Sequence, residues 1–70
     1  MEDSTAQQVE IKGKIGETIQ FKRKRKWIMG KIIIVREMVC IVEITEEDAA
    51  YLGYETTKTV IRHGNYKVIQ

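Results

Sequence analysis

The apolar residues of this chain recur mostly with a period of two, in short runs separated by glycines and polar pairs. That spacing puts alternate side chains on opposite faces of an extended strand. Thr18-Ile19-Gln20-Phe21-Lys22 alternates in this way, with Ile19 and Phe21 facing in. Ile28 to Glu37 reads as a second strand, apolar on both faces at Ile32 to Val35, with Gly30 marking a bend, a bulge or a close backbone approach. After a polar corner at Arg36-Glu37-Met38, the run Val39 to Ile44 places Cys40, Val42 and Ile44 on one face and Val39, Ile41 and Glu43 on the outer one. Thr57 to Arg62 and Tyr66 to Ile69 complete the set, joined by Gly64-Asn65, a hairpin signal.

In one place the period changes. Thr45-Glu46-Glu47-Asp48 fits a capping box, with Thr45 as N-cap and Asp48 three residues on. Three acids in the first turn suit the helix dipole, and Gly53 suits the C-terminal stop. The expected order is strand, long basic connection, strand, hairpin, strand, short helical turn, strand, hairpin, strand. Residues 1–10 are polar and without periodicity and read as a flexible tail, which leaves 11–70 as a single domain.

Length and composition restrict the function. Seventy residues, 43% hydrophobic and 31% charged, make one small globular domain with no room for a deep cleft. No apolar run approaches the roughly 20 residues that span a bilayer, and the acidic start is unlike a secretory signal, so a cytoplasmic protein is expected. The single cysteine, Cys40, excludes an intrachain disulfide and reads as a small buried hydrophobe. The one histidine, His63, reads as a turn or surface residue. Nothing forms a nucleophile–base pair, a metal set or a phosphate-binding glycine loop. The expectation is a protein that is not an enzyme and carries no cofactor or metal.

Charge is the informative feature. From Lys22 to Arg36 there are seven bases and no acid; from Glu37 to Glu55 there are six acids and no base. If the two segments lie apart, the molecule has a positive and a negative end. Lys22, Arg23, Lys24, Arg25 and Lys26 run straight into the only tryptophan, Trp27, and Lys31 follows. Cations beside an exposed ring suit nucleic acid, because the charges neutralise phosphates and the ring can stack on a base. The plainer reading keeps the run as a solvated loop, or the outer part of two strands, with Trp27 folded back as a cap.

The element order is that of an SH3-like barrel. Gly16 to Phe21, the basic run, Gly30 to Val35 and Cys40 to Ile44 together resemble the KOW pattern. Residues 15–25, 29–37 and 59–69 (IGETIQFKRKR, MGKIIIVRE and TVIRHGNYKVI) look like the YkvS-like family of small Gram-positive bacterial proteins. The resemblance spans Ile15 to Ile69 and implies a mainly β, five-strand SH3-like (KOW-like) barrel with one short helical turn before the last two strands. It supplies no catalytic residues. By similarity to KOW domains it implies RNA or protein partners.

Two functions follow as expectations. One is binding of nucleic acid, RNA or a ribonucleoprotein, without sequence preference, through Lys22, Arg23, Lys24, Arg25, Lys26, Trp27 and Lys31. The other is a protein-interaction module or homodimer using the outward residues Val39 and Ile41 with parts of Ile33 or Ile61.

Overall fold

The computed structural model describes residues 12–69. The tail expected over 1–10 lies outside the described residues. Among the described residues there are five strands: β1 (Thr18–Arg23), β2 (Lys26–Val35), β3 (Val39–Glu43), β4 (Lys58–Arg62) and β5 (Lys67–Ile69). One helix, α1 (Glu46–Leu52), lies between β3 and β4. All neighbouring strands pair antiparallel in one sheet of order β4-β3-β2-β1-β5.

Strand β1 follows its alternation, with Ile19 and Phe21 buried and their neighbours less so. In β3, Cys40 and Val42 are buried, while Val39, Ile41 and Glu43 are half-buried on the outer face, as the sequence pattern requires. The inward residues join Ile28, Ile32, Ile44, Ala49, Leu52 and Ile61 in one core, with Tyr54, Tyr66 and Val68 against it. Each large aliphatic or aromatic side chain removed from water in this way contributes about 1.5–3 kcal/mol.

Gly30 marks a close backbone approach. A β-carbon there would lie 3.1 Å from the Glu43 carbonyl oxygen and 3.2 Å from the side chains of Val42 and Ile44. The bulge of β2 falls later, where the register with β3 shifts between Ile32 and Ile34. That shift turns Ile34 outward to meet Ile41, and explains why this part of β2 is apolar without being fully buried.

The helix begins at Thr45, whose hydroxyl accepts the Asp48 amide at 3.0 Å. Only half of the expected capping box forms, because the Asp48 carboxylate turns to Lys26 instead. At the other end Gly53 takes a left-handed φ of 79°, and Gly53 and Tyr54 donate to Ala50 and Ala49 as in a Schellman stop.

The sheet curls but does not close, since β4 and β5 share no ladder. A side chain spans the seam instead. Arg23, at the end of β1, donates to the Val60 carbonyl of β4 at 3.4 Å and to the Tyr54 hydroxyl at 2.5 Å. The architecture is therefore mainly β, with five antiparallel strands and one short helix.

Candidate nucleic-acid interface

The expected long basic connection is a two-residue turn. Arg23 pairs with Lys26 across the β1–β2 hairpin, leaving only Lys24 and Arg25 between the strands. Both have positive φ, 49° and 65°, as a type I′ turn demands. A β-carbon makes that region costly, and Asn-Gly is the usual occupant. Here the turn holds two long cations, so Lys22, Arg23 and Lys26 sit on strands and only Lys24 and Arg25 form the tip.

The two charged segments meet rather than lying apart. Lys26 Nζ lies 3.0 Å from Asp48 Oδ1 and 4.8 Å from the Tyr51 ring centroid. The hydrogen bond that Lys26 donates to Asp48 raises the Lys26 pKa above its usual value. Lys24 Nζ donates at 3.2 Å to the carbonyl of Leu52 at the helix C-terminus, where the macrodipole favours a cation. The Tyr51 hydroxyl donates back to the Lys24 carbonyl at 2.8 Å. Three of the predicted site cations, Arg23, Lys24 and Lys26, thus hold the helix and the seam.

The remaining predicted residues are open to solvent. Lys22, Arg25 and Lys31 are exposed, and none of them makes a side-chain hydrogen bond or ion pair among the described residues. Trp27 is 52% exposed, so it does not fold back as a cap. It pairs with Lys22 across the hairpin, and Lys22 Nζ lies 5.9 Å from its ring centroid. Met29 and Lys31 follow Trp27 at alternate positions on the same face. Lys31 stands opposite Glu43, whose carboxylate already accepts from Thr57 at 2.6 Å and lies 3.5 Å from Lys58.

Beside Lys22 and Trp27 runs a groove of about 400 Å³. It lies between the β1 segment Gln20–Arg23 and the turn Gly64–Lys67, over buried Ile61. Its bases are Lys22, Arg23 and Lys67, and among the described residues no acid lines it. Asn65, Tyr66 and Lys67 were beyond the sequence reading, because only the pairing of β5 with β1 brings them beside the basic hairpin. The Gly-Asn hairpin signal was the one available clue, and it marked a turn without saying what the turn faces.

The family model for uncharacterized proteins conserved in bacteria (DUF2187) matches residues 11–69, almost the whole chain. The chain belongs to this family. No curated protein and no solved structure matched it. For this family member the geometry of the surface is therefore the source of functional information.

A second surface lies on the outer face of β2, β3 and β4. Ile34, Ile41 and Val60 form a row across the three strands, and Val60 is 54% exposed. Ile61, expected to contribute here, faces the core instead, and Val60 takes its place.

Proposed function

We propose that this domain binds RNA without sequence preference, through Trp27 and the exposed cations Lys22, Arg25 and Lys31. The observation that carries this reading is a groove lined by Lys22, Arg23 and Lys67, with an exposed tryptophan against Lys22. The turn adds support. Left-handed residues with β-carbons cost of order 1–2 kcal/mol each, and such strain persists most often at functional positions. At Lys24 the helix contact offers compensation; at Arg25 no side-chain hydrogen bond or ion pair among the described residues does. The strand order and the resemblance to YkvS-like and KOW proteins favour an SH3-like barrel with one seam left open. The role is binding in the bacterial cytoplasm, not catalysis.

A titration of Trp27 emission with single-stranded RNA, repeated over a salt series, tests the proposal. Three phosphate contacts give a slope of log K against log salt of about −2. Lys22→Glu with Arg25→Glu should abolish binding at physiological salt, followed by anisotropy of labelled RNA. A salt-independent signal, or unchanged affinity in the double variant, would overturn it.

A second reading rests on the outer row Ile34, Ile41 and Val60, whose partial exposure suits contact with a protein or a second copy of the chain. Concentration-dependent association that is lost in Val60→Lys would favour it.

A further inference from the structure

We infer that the groove beside β1 receives one unpaired base, so that the domain selects single-stranded over duplex RNA; this rests on the RNA-binding reading above. The inference comes from the edge of β1. Strand β5 pairs only with Thr18, Ile19 and Gln20, while β1 runs on to Arg23. A two-residue turn makes Arg23 and Lys26 a hydrogen-bonded pair, and in antiparallel ladders such pairs alternate. The peptide groups of Ile19, Phe21 and Arg23 therefore turn to β2, and those of Thr18, Gln20 and Lys22 turn the other way. Thr18 and Gln20 find Ile69 and Lys67. Lys22 would need the residue at position 65, which lies in the turn before β5 begins.

Among the described residues nothing pairs with the outward amide and carbonyl of Lys22, which consequently face the groove as an adjacent donor and acceptor. The pairing edge of a nucleobase offers the same two functions in complementary order. Trp27, which is exposed, and Tyr66, which is half-buried, both line the groove beside this segment. A volume of about 400 Å³ is at the small end of the roughly 300–1,000 Å³ typical of ligand sites, which suits one base rather than a helix. Lys22 and Lys67 flank it and can take the neighbouring phosphates. In a duplex the pairing edges are occupied and the faces stacked, so a base enters only after being flipped out.

The test uses the native protein and three labelled RNA ligands of equal length: oligouridylate, an abasic ribose-phosphate oligomer, and a blunt duplex. Anisotropy at low salt should show oligouridylate binding at least about tenfold more tightly than either of the others. Two variants assign the contact. Lys22→Ala keeps the amide and should weaken uridylate and abasic binding by the same factor. Lys22→Pro removes the amide at an unpaired edge position that tolerates proline, and should abolish the discrimination. Equal affinity for uridylate, abasic oligomer and duplex would overturn the inference while leaving charge-driven RNA binding in place. Absence of binding to all three would overturn the RNA reading itself, and the inference with it.

Discussion

His63 is 2% exposed and joins three segments that are distant in sequence. Its Nε2 lies 2.8 Å from the Arg36 carbonyl, which can only accept, so that nitrogen carries the proton. In the neutral ring Nδ1 then accepts from the Tyr66 hydroxyl at 2.8 Å, and the Tyr66 oxygen accepts the Gly13 amide at 2.9 Å. The His63 amide also donates to the Met38 carbonyl, which ties the end of β4 to the β2–β3 corner. Removing the ring leaves buried donors and acceptors unpaired, each costing about 1–3 kcal/mol. Tyr66→Phe should therefore cost about 1–3 kcal/mol in urea unfolding, and His63→Ala more. Of the two alternatives in the sequence reading, His63 does lie in a turn, but it is buried and not at the surface. A lone histidine carries no sign of a partner 27 positions away, whereas Cys40 stood inside an apolar alternation and its burial was legible.

Glu43 gives a residue-scale pH prediction. The Thr57 hydroxyl, and then Lys58, hold its carboxyl below the ordinary value. Its folded pKa is thus lower than its unfolded one, and its stabilisation is present above the unfolded value and lost as pH falls through the folded one. The urea midpoint of the native protein should drop further than that of Glu43→Gln as pH is lowered through the carboxylate range. Parallel curves would contradict this.

At the scale of elements, the hairpin and the helix stabilise each other. The hairpin supplies Lys24 from its tip and Lys26 from the start of β2 to the helix, and the helix supplies Asp48 and Tyr51 in return. The start and stop of α1 were legible because Thr45 and Gly53 act through neighbouring backbone. The β1–β2 turn was not, because Lys24-Arg25 lacks the Asn-Gly signature that normally announces a type I′ hairpin. Arg25→Gly relieves a left-handed β-carbon against a smaller entropic cost to the unfolded chain, and should raise stability by about 0.5–1 kcal/mol while weakening RNA binding. Thr45→Ala should cost about 1 kcal/mol through loss of the N-cap, with RNA affinity retained. Chemical unfolding alongside anisotropy separates the two effects.

At the scale of the molecule, the acidic helix lies on the basic hairpin, so the charge separation read from the sequence folds back on itself in part. Among the described residues, Lys22, Arg25 and Lys31 form no ion pair and stay exposed. The strands and the core were legible from period-two alternation, which depends on local spacing alone. The groove was not, since its walls come from β1 and the β4–β5 turn, more than forty residues apart, and from an edge that β5 leaves unpaired. Among the described residues no helix is long and apolar enough to cross a membrane.

The most direct test of the binding surface is a ¹H–¹⁵N correlation titration with a short single-stranded RNA at low salt. The predicted shifts are the Trp27 indole N–H and the amides of Lys22, Arg25 and Asn65, with Val39, Ile41 and Val60 unmoved. Shifts confined to the Ile41 and Val60 face, or none at all, would contradict RNA binding at the β1 groove.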